Sequence, residues 1–130
     1  MVENIALLKE VQEFMPTKEA QEEGLALLSK LKLSHIGMQR VAQCKSVELF
    51  YVMFIRAMMS KKSHIIIDMP YTIIHNLQEI EKVISNIEIL NDSKKNIFIL
   101  DTLNHKIRYK SYNNLEITSN NSSSSIGLDT

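Results

Sequence analysis

The sequence predicts an α/β fold, with a helical part over residues 1–60 followed by a partial sheet over residues 61–118. Three observations carry this reading. Residues 3–14, 17–32 and 46–60 place apolar side chains at helical spacing. Two short runs, Ile65-Ile66-Ile67 and Ile97-Phe98-Ile99, are rich in β-branched and aromatic residues and have the pattern of strands buried on both faces. Between them, residues 76–90 form an amphipathic stretch. Strand, helix and strand at these lengths predict a parallel βαβ unit.

Each element has its own signal. The first helix, over residues 3–14, carries Ile5, Leu8 and Val11 on one stripe, and Pro16 stops it. Thr17 is the expected N-cap of the second helix, with Glu19 in its first turn and Ala20, Gly24, Leu27, Leu28 and Leu31 along one face. Residues 34–43 read as a mixed connector. The third helix, over residues 46–60, is apolar nearly all round and is expected deep in the fold, with Met53, Met58 and Met59 as core packing. The strand over residues 64–68 follows. The helix over residues 76–90 turns Leu77, Ile80, Ile84 and Ile87 inward, and residues 91–95 make a polar turn into the strand over residues 96–100. Residues 106–110 and 114–118 alternate polar and apolar and predict a C-terminal hairpin joined at Ser111-Tyr112-Asn113. The Ser/Asn-rich tail, residues 119–130, is expected to be disordered.

Composition narrows the function classes. The chain has 130 residues, 45% of them hydrophobic, and fifteen Lys+Arg balance fifteen Asp+Glu. That balance argues against nucleic acid as a partner, which calls for a broad basic surface. A single cysteine, Cys44, excludes a disulfide framework and a cysteine-based zinc site, and suits a reducing cytoplasm. Cys44 has no His/Asn partner pattern and reads as a small core residue. His35, His64, His75 and His105 are scattered over different segments and predict no metal cluster. Lys61-Lys62 and Lys94-Lys95 read as solvated turns. The longest apolar run, residues 49–59, is broken by Arg56 and falls short of the roughly 20 residues that span a bilayer.

The layout from Leu27 to Pro70 resembles the middle of the nucleotide-binding domain of an ABC transporter. A Leu-rich helix end, Leu27-Leu28-Ser29-Lys30-Leu31, leads through a connector to Cys44-Lys45-Ser46-Val47-Glu48, at the place of the family's LSGGQ signature. Arg56-Ala57-Met58-Met59 then resembles the "RALL" of the following helix, and Ile65-Ile66-Ile67-Asp68-Met69-Pro70 the Walker B strand with its Asp-Glu-Pro. Upstream, residues 3–7 resemble the segment after the Q-loop. Downstream, residues 97–102 resemble the strand that leads to the switch histidine. The resemblance covers residues 3–118 by layout and implies a truncated domain of this type, with a partial P-loop-NTPase sheet.

The resemblance also implies losses. No G-x-x-x-x-G-K-[ST] occurs, since the glycines are Gly24, Gly37 and Gly127, and the family's Walker A and Q-loop would precede Met1. At the signature, Lys45 replaces the serine, and Ser46 and Val47 replace glycines that let a helix N-terminus approach a phosphate. Asp68 keeps the Walker B position and by resemblance would help hold Mg²⁺ through water. Met69 takes the place of the catalytic glutamate and cannot accept a proton. The D-loop falls on Thr72-Ile73-Ile74-His75, and the switch histidine on Thr102, next to Asp101, with His105 three residues beyond.

The remnant nucleotide contacts implied by resemblance are Ser46, Glu48 and Asp68, toward ATP and Mg²⁺ that this chain alone is not expected to bind or turn over. No catalytic residue is expected. The partners implied are a transmembrane permease, docked through the region of residues 5–37, and a second ATPase chain or a separate N-terminal half. The expected location is the cytoplasm, or the inner face of the membrane as a peripheral subunit. The alternative reading is a small non-catalytic interaction or regulatory module, or a homodimer, indifferent to Mg·ATP.

Overall fold

Pro16 separates the first two helices. Helix α1 is Val2–Gln12, the chain turns at Phe14 with φ 52°, and α2 runs Thr17–Lys30. The N-cap of α2 is Pro16, not Thr17, which is the first helical residue and turns its hydroxyl to Glu10 Oε2 at 3.5 Å. The computed structural model describes residues 1–74, 77–109 and 112–117, with backbone only at Leu77 and Gln78. The chain divides into two compact units, Met1–Lys62 and Ser63–Thr130.

In the first unit, α1 packs against α2 and against α3, Ser46–Met58. Close approach is made at Gly24, where an added Cβ would lie 2.9 Å from Ile5 Cγ2 and 3.8 Å from Met59 Sδ. The connector is two short 3-10 turns, Ser34–Met38 and Val41–Gln43. The Met1 amino group donates to the carbonyls of Gly37 and Gln39 at 3.0 and 2.8 Å and so ties the connector to the start of α1. Helix α3 buries Phe50, Tyr51, Val52, Phe54, Ile55 and Met58. Its apolar girdle is not fully covered, however: Met53 is exposed, so only Met58 and Met59 of the three methionines are core residues. Cys44 is half-buried, with its thiol 3.6 Å from Gln39 Oε1.

The second unit is built on two parallel strands, β1 His64–Asp68 and β2 Asn96–Leu100, joined by α4 Leu77–Leu90. The register sets His64 level with Asn96 and Asp68 level with Leu100. The fold is therefore mixed α/β with a two-stranded parallel sheet, and the βαβ unit forms as its periodicity predicts. Ile80, Val83, Ile84, Ile87 and Leu90 of α4 are buried, as are Ile65, Ile67, Ile97 and Ile99 of the strands. Asn91 closes the turn after α4: its amide nitrogen donates to Lys95 O at 2.8 Å, and its Oδ1 accepts from Lys95 N–H at 2.9 Å. Lys94 takes φ 55° there, and Lys95 is buried rather than solvated.

Two expectations fail here. The strands are buried on one face only, because Ile66 is 65% exposed, Phe98 39% and Leu100 36%. The apolar runs named strands correctly, but a run without polar alternation does not reveal whether its second face is covered. The C-terminal hairpin is also absent among the described residues. Residues Leu103–Tyr109 wind as 3-10 turns, and residues 112–117 pair with no strand. Pairing as a strand would place Ile107 and Tyr109 on one face, whereas Tyr109 is fully buried and Ile107 is 68% exposed. Lys106 instead forms an ion pair with Glu116, and Asn114 Nδ2 donates to the carbonyls of Tyr109 and Tyr112. Lys110, Ser111, Thr118 and the tail expected to be disordered lie outside the described residues. No helix among the described residues is long and apolar enough to cross a membrane.

Candidate functional site

Parallel strands end on the same side, and the loops leaving their C-terminal ends are where α/β folds gather reactive side chains. Here β1 ends at Asp68 and β2 at Leu100, followed at once by Asp101. After β1, Met69 adopts the left-handed conformation, φ 49° and ψ 63°, while its N–H still donates to Leu100 O at 2.8 Å. A non-glycine residue held there costs roughly 1–2 kcal/mol. The turn it makes leads into Pro70–Thr72, fixed by the Thr72 N–H and hydroxyl, both donating to Met69 O. That turn brings the Tyr71 ring onto His105, with centroids 3.8 Å apart and planes within 23°.

The other half of the cluster hangs on Asp101, whose side chain is out of solvent. Its Oδ1 accepts from Thr102 N–H at 2.7 Å and lies 2.7 Å from His105 Nδ1, and its Oδ2 accepts from the Tyr109 hydroxyl at 2.7 Å. Burial of a carboxylate is tolerated because each oxygen has donors. With Nδ1–H donating to Asp101, the His105 ring is held in orientation, and a neutral ring would present its lone pair at Nε2. This is the arrangement that makes an imidazole a proton acceptor. Among the described residues, no hydroxyl or thiol hydrogen-bonds that Nε2.

Burial, the Asp101 hydrogen bond and the Asp101 charge together hold the Tyr109 phenol far above its ordinary range. Tyr71 is also raised, mainly by burial and by the charges of Asp101 and Glu81, with Arg108 acting the other way. Arg108 Nη1 sits 3.4 Å from Glu81 Oε1. The Tyr71 hydroxyl oxygen is buried without a hydrogen-bond partner among the described residues.

The residues singled out by sequence are placed differently. Ser46 is exposed at the start of α3. Glu48 faces its own helix: Oε1 accepts from Lys45 N–H at 2.7 Å, and Oε2 lies 3.6 Å from His35 Nε2. It is thus occupied in capping the N-terminus of α3. Asp68 is exposed, and its carboxylate hydrogen-bonds no described residue. Thr102 gives its N–H to Asp101, and His75 lies outside the described residues.

A lone aspartate fits Mg²⁺ only as one ligand among several. No three His, Cys, Asp or Glu side chains converge among the described residues. Of the three glycines, Gly24 lies within α2 and Gly37 within a 3-10 turn, so neither forms a phosphate loop, and Gly127 lies outside the described residues. The described residues do not by themselves fit Mg·ATP, and no catalytic step runs through it. The sequence named Asp101 and His105 only as neighbours of the switch position. The signal that joins them is their i,i+4 spacing across a 3-10 turn, and nothing in the sequence pointed to Tyr71. No protein-family model, no curated protein and no solved structure matches the chain.

Proposed function

We propose that this chain is the Walker B side of an ABC-type ATP-binding domain, unable to hydrolyse ATP alone and completed by a segment that carries the phosphate loop. The observation that supports this best is the free, exposed Asp68 carboxylate at the end of β1, level with the strand end that carries Asp101 and His105. A parallel pair of strands with open edges is also rarely self-sufficient, because parallel sheets are normally covered on both faces. In this reading Asp68 offers a water-mediated contact to Mg²⁺, Ser46 and Glu48 are remnants, and the assembled subunit works beside a permease. The test is recovery of the tagged chain from its native cells, followed by sequencing of what it retains. A polypeptide with an intact G-x-x-x-x-G-K-[ST], together with a permease and with ATP turnover cut severalfold by Asp68→Asn, is the expected result. Recovery of neither, or an isolated chain whose melting point rises with Mg·ATP, overturns it.

A second reading is favoured by one observation. Ile66, Phe98 and Leu100 form an uncovered apolar sheet face, as an interaction module would display. Under that reading the retained partner has no nucleotide site, and Mg·ATP leaves the assembly unchanged.

A further inference from the structure

The outer edge of β1 is self-complementary. β1 has a strand on one side only among the described residues. Asn96 N–H donates to Ser63 O, and Met69 N–H donates to Leu100 O, both at 2.8 Å. Odd-numbered residues of β1 therefore turn their backbone polar groups toward β2, and His64, Ile66 and Asp68 turn theirs outward. No described residue bonds those outward groups. The side chains of the same three residues share the open face, since burial alternates along the strand.

We propose that β1 pairs antiparallel with β1 of a second copy, about a two-fold axis through Ile66, giving a continuous four-stranded sheet. An isologous contact repeats every pair. With Ile66 opposite its own copy, His64 lies opposite Asp68 and Asp68 opposite His64. All three are hydrogen-bonded positions, so each outward N–H meets an outward C=O of the other chain. Ile65 and Ile67 fall opposite each other and continue the buried face. The charged ends match as well. Asn96 Nδ2 sits 3.3 Å from His64 Nδ1, and as donor there it leaves the ring proton on Nε2, free to reach the facing Asp68 carboxylate. The edge has none of the usual protections, with no lysine, proline or bulge within His64–Asp68. The proposal does not rest on the nucleotide reading. It gives Asp68 a competing partner, so a chain engaged with Mg·ATP would leave the pair.

Sedimentation equilibrium of the whole chain tests it, and the expected mass is twice 15.0 kDa. Asp68→His sets histidine against histidine, and His64→Asp sets aspartate against aspartate, so each single variant shifts the mass toward monomer. The double variant H64D/D68H restores the facing pairs and returns the dimer, and a refolded double variant also excludes misfolding as the cause. In a Cys44→Ser background, Ile66→Cys places two thiols across the axis at a Cα separation of about 5.5 Å, within disulfide reach, and mild oxidation yields a cross-linked dimer. A wild-type chain that stays monomeric overturns the proposal. So does a dimer that the single exchanges leave intact, or one that the double exchange fails to restore.

Discussion

The Tyr109 hydroxyl donates to Asp101 Oδ2 at 2.7 Å, and neither side chain reaches solvent. This bond fixes the far end of the 3-10 segment Leu103–Tyr109 to the residue that follows β2. Asp101 also holds His105, so one carboxylate organises the whole strand-end cluster.

Removing the hydroxyl tests how much that bond contributes. Tyr109→Phe keeps the buried ring and deletes a hydrogen bond to a charged acceptor, worth about 1.5–3 kcal/mol. Asp101→Ala costs more, because it strands a phenol and the Thr102 N–H together. Urea unfolding reads both, as a fall in midpoint at unchanged slope. A Tyr109→Phe midpoint equal to that of the parent would show that the cluster does not hold the segment.

Alkaline pH should loosen the same unit. Tyr109 is held far above the ordinary phenol range, first by burial and then by its bond to Asp101. Tyr112 is pushed up to about 12, again mainly by burial and then by a hydrogen bond to Glu88. An unfolded phenol ionises near pH 10, so above that pH the unfolded chain binds fewer protons than the folded one. The stabilisation is fully present below about pH 10 and is lost as pH rises toward the folded values, at up to about 1.4 kcal/mol per pH unit for one fully buried group. Urea midpoints measured from neutral pH to about pH 12 should fall only in the upper part of that range, and Tyr112→Phe should make the fall shallower. A midpoint constant to the top of the range would contradict the assignment.

The contrast between what the sequence disclosed and what it hid has a physical origin. Helix α4 was legible because Ile80, Ile84 and Ile87 repeat at the helical period over a long window. The strands were legible from Ile65-Ile66-Ile67 and Ile97-Phe98-Ile99, yet the exposure of Ile66 and Phe98 was not, since coverage depends on what packs from elsewhere. Residues 106–110 misled because two alternations fit a strand and a 3-10 turn alike. The choice was made by Tyr109 reaching Asp101, a contact between residues eight apart. Asp68 was visible as a strand-end carboxylate. The Asp101–His105–Tyr71 arrangement was not, because the left-handed turn at Met69 that delivers Tyr71 leaves no mark in composition.

The turn between α4 and β2 depends on one side chain. Asn91 is buried and serves both the N–H and the carbonyl of Lys95, so Asn91→Ala leaves two buried backbone groups without those partners. Each such loss costs about 1–3 kcal/mol. Asn91→Asp keeps the acceptor for Lys95 N–H but turns a donor into a second acceptor facing a carbonyl, so it too should fall below the parent. Hydrogen exchange at the Lys95 amide reports the effect locally. Protection unchanged in the alanine variant would remove Asn91 from this role.

At Gly24 two effects oppose each other. Alanine gains about 1 kcal/mol of intrinsic helix preference over glycine within α2. The new Cβ, however, would sit 2.9 Å from Ile5 Cγ2, an atom on a β-branched side chain that is fully buried and cannot swing aside. Overpacking of this kind costs about 1–3 kcal/mol, so Gly24→Ala should be neutral to destabilising despite the better helix former. Ile5→Ala opens the space but creates a cavity costing about 2–5 kcal/mol by itself. In the double variant the methyl group introduced by Gly24→Ala fills part of that cavity without a clash, and the helix preference of alanine is kept. Gly24→Ala should therefore stabilise the Ile5→Ala background while failing to stabilise the parent. A double-mutant cycle by urea unfolding reads that change of sign, and additive effects would place the contact between α1 and α2 elsewhere.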